Sequence, residues 1–235
     1  NSSLIFPVVK TVQAAVQVLR SGYLASGPNV AAFEQEFSNY VATDQCVAVG
    51  SGTAALHAGL LALGVGPGDE GIVPSFTFAA SANTVALTGA TPVFVDVEDS
   101  YYCVTAETIA PLITARTAAI MVVHLYGHPA PMREIMALAD KHDLPVVEDA
   151  AQAHGATVDG KPVGSFGKFG AFSFYPTKNM TIGEGGMIST SDADFARTCR
   201  LLRSQGMEQR YVHEIVGLNE RMTEVEAAIG ADNLA

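Results

Sequence analysis

Short apolar segments alternate with helical patterns along most of this chain, and this alternation limits the possible folds more than any other feature. The strand-like segments are 46–49, 72–73, 92–95, 118–123, 145–147 and 187–190. Patterns typical of helices lie between or after them, at 53–63, 79–87, from Pro131 onward and at 192–205. Such alternation predicts an α/β fold with a mostly parallel central sheet and helices on both faces.

Composition narrows the class of protein. With 235 residues, of which 49% are hydrophobic, the chain can form one domain around a sheet that is buried on both faces. The net charge of −11, with no basic patch against it, argues against nucleic acid or an anionic membrane as a partner. No apolar run approaches the roughly 20 residues that a membrane span requires.

The cysteines and two histidines show no pattern typical of a metal site or a disulfide framework. Cys46, Cys103 and Cys199 are scattered and odd in number, which favours a reducing, cytoplasmic location. His124 and His128 have no acidic residue at ligand spacing. We therefore expect no metal, and we expect both histidines to lie in a loop near the mouth of a substrate site.

A single lysine follows an apolar, aromatic run. The run at 172–175 predicts a buried strand that would bring Lys178, just past Pro176, to the strand's carboxyl end. Open α/β sheets bind ligands at that end. A partly desolvated lysine there can form a Schiff base with an aldehyde cofactor. The alternative is an ordinary loop lysine with its ammonium group in water.

Two further strand ends carry groups that suit an aldehyde cofactor. Glu148 and Asp149 close a buried run, and a carboxylate there can pair with the protonated ring nitrogen of pyridoxal 5′-phosphate (PLP). Because side chains alternate along a strand, only one of the two acids can face the site. The small residues at 50–55 follow another strand and open a helix, whose free N–H groups suit a phosphate.

Seven motifs run in the order and spacing of one protein family. They lie at 50–56, 74–78, 93–96, 124–127, 148–155, 172–179 and 217–221. Together they resemble the DegT/DnrJ/StrS family of sugar aminotransferases, which have the type I fold of PLP-dependent transferases. The resemblance implies that residues 1–40 form an N-terminal helical arm and residues 41–235 the PLP-binding large domain. It also implies a C-terminal small domain, which we expect to be absent from this chain.

The resemblance also implies roles for individual residues. Lys178 matches the catalytic lysine that forms the Schiff base, and Asp149 matches the partner of the pyridine nitrogen. The other cofactor-binding positions are Thr53, Ala54 and Ser173 at the phosphate, Phe78 stacked on the ring, Gln152 at the O3′ oxygen, and Asn219 at the phosphate of a neighbouring subunit's cofactor. A contribution from Asn219 to a neighbour would make the protein a homodimer with shared active sites.

Several of these positions have purely structural alternatives. Either Ser51 or Thr53 can cap the helix that follows. Phe78 can be a core aromatic, Gln152 a polar residue at a helix N-terminus, and Asp149 a solvated carboxylate at the end of a strand.

The activity that the resemblance implies is the transfer of an amino group from glutamate or glutamine to a nucleotide-linked keto-sugar. The segments at 125–127 and 152–155 are closer to the branch that acts on 3-keto sugars, while 3-amino, 4-amino and cyclitol products all stay open. One alternative is a sugar dehydratase of the same family, although that branch has histidine in place of Lys178. A second alternative is a non-catalytic, PLP-binding regulatory protein.

Overall fold

The computed structural model describes residues 8–234, with the side chains of residues 11–234. Within this range the chain forms eight α-helices and nine β-strands, which are α1 (Val8–Ser21), α2 (Pro28–Val41), β1 (Gln45–Val49), α3 (Gly52–Ala62), β2 (Glu70–Pro74), α4 (Ala79–Leu87), β3 (Thr91–Val95), α5 (Ala106–Ile109), β4 (Thr117–Val123), α6 (Met132–His142), β5 (Val146–Asp149), β6 (Thr157–Val158), β7 (Lys161–Pro162), β8 (Phe169–Ser173), β9 (Gly186–Thr190), α7 (Ala193–Arg203) and α8 (Glu224–Leu234). Short 3₁₀ turns occupy Ala110–Leu112 and Leu125–Gly127.

Seven of the strands form one sheet in the order β1-β9-β8-β5-β4-β2-β3. In this order the neighbouring strands β8, β5, β4, β2 and β3 are parallel to one another. Strand β9 is antiparallel to both of its neighbours, β1 and β8. The predicted mostly parallel sheet is therefore confirmed, with β9 as its one exception. Because β9 runs in reverse, β1 points the same way as β8, and six strands have their carboxyl ends at the same edge.

Helices cover both faces of this sheet, as predicted. Along β1 the buried side chains alternate: Val47 and Val49 pack with α3, α4 and α7 on one face, and Cys46 and Ala48 pack with α2 and α8 on the other. Helices α5 and α6 extend this second face over β2, β4 and β5. The strands of this sheet, apart from β3 at its edge, are thus buried on both sides, which accounts for their continuous apolar runs in the sequence.

Helix α2 is anchored to the core by aromatic residues. Phe33 and Phe37 are fully buried. The ring of Phe37 lies edge-on to those of Phe172 and Phe174, with centroid distances of 5.0 and 5.5 Å. Such pairs add to the stabilisation that burial of the rings already provides.

Helix α8, which the sequence patterns did not predict, is joined to the start of α2 by a buried acid. The carboxylate of Glu224 accepts hydrogen bonds from the backbone N–H groups of Gly27, Asn29 and Val30 at 2.7, 2.9 and 3.0 Å. The first N–H groups of a helix have no carbonyl partner inside the helix. Glu224 therefore provides the N-terminal cap of α2 from a distant part of the chain.

The strand that precedes Lys178 ends earlier than its apolar run suggested. β8 stops at Ser173. Phe174 remains buried, and its N–H donates to the carbonyl of Gly185, whereas Tyr175 is exposed. The chain therefore leaves the sheet before Pro176 and reaches Lys178 through a turn, in which the Lys178 N–H donates to the Tyr175 carbonyl at 2.9 Å.

The three cysteines are buried free thiols. Burial raises the pKa of Cys46 and of Cys199 to about 12. These two thiols therefore stay protonated at neutral pH, and they are weak nucleophiles.

None of the helices between residues 8 and 234 has the length and apolar character that a membrane span requires.

Candidate active site

A cavity of about 610 Å³ opens at the carboxyl edge of the sheet, beside the N-terminus of α3. The sequence-predicted residues that line it are Thr53, Phe78, Asp149, Gln152, Ser173 and Lys178. Ala54 and Asn219 are not among its lining residues. The volume lies within the range of about 300–1,000 Å³ that is typical of small-molecule sites.

The N-terminus of α3 forms one wall of this cavity. The Ser51 hydroxyl accepts the N–H of Ala54 at 3.1 Å, so Ser51 rather than Thr53 caps the helix, and the Ala54 N–H is already in use. The N–H groups of Gly52 and Thr53 belong to the first turn, where the helix offers them no carbonyl. These two N–H groups, rather than that of Ala54, are the ones available to an anion.

Gly52 allows this helix end to approach β8 closely. A Cβ atom at Gly52 would lie 2.7 Å from the Cβ of Ser173, closer than two such atoms can approach. The absence of a side chain therefore brings the Ser173 hydroxyl next to the free N–H groups of α3. A hydroxyl and helix N–H groups that converge in this way suit a phosphate.

Asp149 lies deeper, at the end of β5. Its side chain is buried, so the alternative of a solvated carboxylate is wrong. Oδ2 accepts the hydroxyl of Ser81 at 2.7 Å, and Oδ1 accepts the N–H of Ala151 at 3.2 Å. Burial raises the pKa of Asp149, although these two hydrogen bonds oppose the effect. A buried carboxylate with a raised pKa gains most from a cationic partner.

Glu148, the neighbour of Asp149, faces the opposite side of the sheet. It accepts the backbone N–H groups of Gly164, Phe166 and Gly167, each at 2.7 Å. The prediction that only one of the two acids faces the site is confirmed. Glu148 does not lie at a helix terminus; its role is to hold the 164–167 loop against the sheet.

The expectation that His124 is a loop residue at the site's mouth is wrong. His124 is fully buried, and its Nε2 lies 3.1 Å from Oε2 of Glu148. The N–H of Ala130 donates to Nδ1 of His124, so Nε2 carries the proton and donates to Glu148. The physical reason is that the buried Glu148 carboxylate requires donors on every side. His128, by contrast, is exposed.

Lys178 follows the turn after β8, and its side chain is partly buried in the wall of the cavity. Its positive charge lies close enough to Asp149 to oppose the rise in the pKa of that carboxyl. The structure therefore brings an amine and a buried carboxylate, which are 29 positions apart in sequence, into one cavity.

Phe78 and Gln152 lie at other points of the cavity wall. Phe78 stands at the N-cap of α4 and is 73% exposed, so the alternative of a core aromatic is wrong. Gln152 lies in a turn rather than at a helix N-terminus. Its Oε1 accepts the N–H of Tyr126 at 2.7 Å, which leaves the amide NH₂ as its donor. Tyr126 has a φ of 55°, a left-handed conformation that is uncommon outside glycine.

Sequence reasoning missed Ser81 and Thr77, which stand behind Asp149. Ser81 is fully buried in the first turn of α4, and Thr77, which lines the cavity, precedes it by four residues. The available signal was this spacing of two hydroxyl residues at the predicted start of a helix, since residues four apart lie on one face.

Asn219 lies away from the cavity of its own chain and is exposed. It belongs to a segment beside the end of β1, where the next residue, Glu220, accepts the N–H of Gly50 at 2.8 Å. Its predicted contact with a neighbouring subunit stays a prediction.

Comparison with known proteins assigns this chain to a family. Residues 8–235 match the DegT/DnrJ/EryC1/StrS aminotransferase family. GDP-perosamine synthase from Caulobacter vibrioides is 50% identical over 210 residues, covering 88% of this chain and 57% of that protein. UDP-N-acetyl-3-dehydro-alpha-D-glucosamine 3-aminotransferase from Acidithiobacillus ferrooxidans is 52% identical over 199 residues, covering 84% of this chain and 54% of that protein.

The fold of this chain also matches that of a solved structure. S. venezuelae DesV superimposes with a TM-score of 0.93 at 46% identity, over 95% of this chain and 60% of that one. The chain thus spans between one half and three fifths of the length of the proteins that it matches. The predicted type I fold of PLP-dependent aminotransferases is confirmed, and the chain belongs to the DegT/DnrJ/EryC1/StrS aminotransferase family.

Proposed function

We propose that this chain forms the cofactor-binding part of a PLP-dependent aminotransferase. In this proposal an amino group moves from glutamate or glutamine to a keto-sugar attached to a nucleotide. The observation that carries the proposal is the meeting of Lys178, the buried Asp149 and the free end of α3 in one cavity. The names of the two relatives, one with a GDP-linked and one with a UDP-linked sugar, support the class of acceptor.

The residues present fit PLP at both of its charged ends. At one end, the first-turn N–H groups of α3 and the hydroxyls of Thr53 and Ser173 would hold the phosphate. At the other end, Asp149 offers a buried carboxylate for a protonated ring nitrogen. Gln152 would donate its NH₂ group to the ring oxygen, and the exposed ring of Phe78 would cover one face of the cofactor.

In the proposed reaction the cofactor and the protein side chains have different roles. When bound, PLP supplies an electron sink for the electron pair that remains when a proton leaves the substrate carbon. The Nζ amine of Lys178 removes that proton as a general base and returns a proton as a general acid. Asp149 would hold the proton on the ring nitrogen: burial raises the pKa of its carboxyl, and the hydrogen bonds from Ser81 and Ala151 together with nearby positive charge oppose that rise.

We also propose that two copies share their active sites, with Asn219 of each copy directed at the phosphate bound by the other. Two observations support this arrangement. Asn219 is exposed and lies outside the cavity of its own chain. The segment that carries it is fixed beside β1 by the hydrogen bond between Gly50 and Glu220, close to the end of α3.

The test uses two lysines at opposite ends of β8. Lys168 precedes the strand and pairs with Asp192, whereas Lys178 follows it in the cavity. Addition of PLP should give a visible absorption band with the unmodified protein and with Lys168→Ala, but not with Lys178→Ala. Glutamate should bleach the band, and a nucleotide-linked keto-sugar should restore it. A Lys178→Ala protein that still transaminates would contradict the proposal, and a band that no amino donor bleaches would favour the non-catalytic alternative.

A further inference from the structure

Two hydroxyl groups form a hydrogen-bonded chain that connects the cavity to the back of Asp149. The Oγ1 atom of Thr77, in the cavity wall, lies 3.0 Å from the Oγ atom of Ser81. Ser81 Oγ lies in turn 2.7 Å from Oδ2 of Asp149. Ser81 is fully buried between these two groups.

The direction of these hydrogen bonds follows from their chemistry. An ionised carboxylate can only accept, so Ser81 donates its one proton to Asp149. The oxygen of Ser81 must then accept, which makes Thr77 the donor in the Thr77–Ser81 bond. The other carboxylate oxygen of Asp149 accepts the N–H of Ala151. Both oxygens of Asp149 are therefore held from the protein side.

Ser81 also provides the strongest compensation for the burial of Asp149. Burial raises the pKa of this carboxyl, and among the groups that lower it the Ser81 hydroxyl ranks first, followed by the Ala151 N–H. A charged group that faces Asp149 is Lys178, from the turn after β8, and its effect on the pKa of Asp149 is smaller. His124, at the end of β4, directs its ring to Glu148 on the other side of the sheet.

We propose that Ser81, oriented by Thr77, is a positioning residue that keeps the Asp149 carboxylate ionised and fixes its rotation toward the cavity. The inference rests on the proposed function for the identity of the group that Asp149 faces. The hydrogen-bonded chain itself is present without that group. Because Thr77 lines the cavity, a ligand that displaces or reorients its hydroxyl would also change the donor strength of Ser81 toward Asp149.

The experiment is a titration of the Asp149 carboxyl carbon by ¹³C NMR in the full chain without cofactor, with Asp149→Asn to identify the signal. Ser81→Ala should raise the titration midpoint by about one pH unit, which is the size expected for one hydrogen bond to a charged group. Thr77→Val should raise it by a smaller step. Thr84→Val is the matched control, because Thr84 is buried on the same helix and, within the described part of the chain, its hydroxyl bonds the Ser81 carbonyl rather than the Asp149 carboxylate.

A second measurement concerns the loaded protein. With ¹⁵N-labelled PLP bound, the ring-nitrogen signal of the Ser81→Ala variant should move toward its unprotonated position at a lower pH than in the unmodified protein. An unchanged Asp149 midpoint in Ser81→Ala, or an equal shift in Thr84→Val, would overturn the inference. The carboxyl titration needs neither cofactor nor activity, so a failure of the proposed aminotransferase activity would leave this result intact and distinguishable.

Discussion

The carboxylate of Glu224 lies 2.7 Å from the backbone nitrogen of Gly27, 197 positions earlier in the sequence. The same side chain also holds the N–H groups of Asn29 and Val30, and it is fully buried. Two helices that pack on the same face of the sheet are thus joined by a single acid. Burial raises the pKa of Glu224, but the hydrogen bonds from Val30, Asn29 and Gly27 outweigh it and hold that pKa below its usual value.

This cap predicts a pH-dependent stability. A lowered folded-state pKa means that the contribution of Glu224 is complete above the unfolded pKa, near 4.3, and is lost as pH falls through the folded value. Glu224→Gln should lower the free energy of unfolding at pH 7 by about 1–3 kcal/mol. The difference from the unmodified protein should shrink below about pH 4. Urea unfolding across pH measures this.

Glu226→Gln provides the control, because Glu226 is partly exposed and, among the residues that the structure describes, its carboxylate accepts hydrogen bonds from Thr223, just before its own helix. Its effect should stay within about 0.5 kcal/mol. Equal losses in the two variants would show that the Glu224 cap is not special.

The close approach of α3 to β8 predicts different effects of the same change at two nearby glycines. Gly52→Ala would place a methyl group 2.7 Å from the Cβ of Ser173, whereas at Gly50 the nearest atom is 3.8 Å away. Gly52→Ala should therefore weaken PLP binding about tenfold or more, since losing one hydrogen bond to a charged group has that effect. Gly50→Ala should bind PLP normally. Equilibrium dialysis with PLP measures both, and equal affinities would contradict the phosphate site.

Replacement of the buried carboxylate should separate cofactor binding from chemistry. Asp149→Asn should still bind PLP through the α3 end, but its ring nitrogen would no longer be held protonated. The half-reaction with the amino donor should slow by about 10²–10³-fold, the size typical for the loss of one preorganised electrostatic partner. Single-turnover absorbance measures this rate. An unchanged rate in a fully loaded variant would assign Asp149 a different role.

The shared-site proposal predicts a link between cofactor affinity and assembly. Asn219→Ala should weaken PLP binding in the dimer while leaving sedimentation unchanged, because one donor to the partner's phosphate is lost. Gln209→Ala, an exposed change in the loop that precedes Asn219, should have no effect. A monomer that binds PLP as tightly as the dimer, with or without Asn219, would rule out shared sites.

The sequence allowed a good prediction of whatever depends on periodicity and on strand ends. Lys178 and the acid pair Glu148 and Asp149 were identified because polar residues that close buried runs meet at one edge of a parallel sheet, whereas the choice of Asp149 over Glu148 came from the family resemblance. The reversal of β9 was not predictable, since the apolar pattern at 187–190 is the same in either direction. Helix α8 was missed because it packs with small residues; at Gly230 even a Cβ would contact the ring of Phe33 at 2.6 Å.

Contacts between side chains that are far apart in the sequence could not be predicted either. Nothing in the sequence around His124 indicates that its ring is hydrogen-bonded to the buried carboxylate of Glu148. Likewise, Ser81 lies 68 positions from Asp149, and only the folded chain brings them together. Such contacts depend on tertiary packing, which local patterns do not encode.

The position of β9 between β1 and β8 sets the order in which the site can form during synthesis. Within the sheet, β1 pairs only with β9, and Gln45 lies opposite Thr190. At about 5–20 residues per second, a ribosome would leave β1 without its strand partner for roughly 7 to 30 seconds. Helix α2, which packs on β1 and precedes it directly, can cover one face during that interval. Strands β5 and β8, which lead to Asp149 and Lys178, can pair before β9 has been made. The phosphate side of the cavity, at the N-terminus of α3 after β1, therefore closes last.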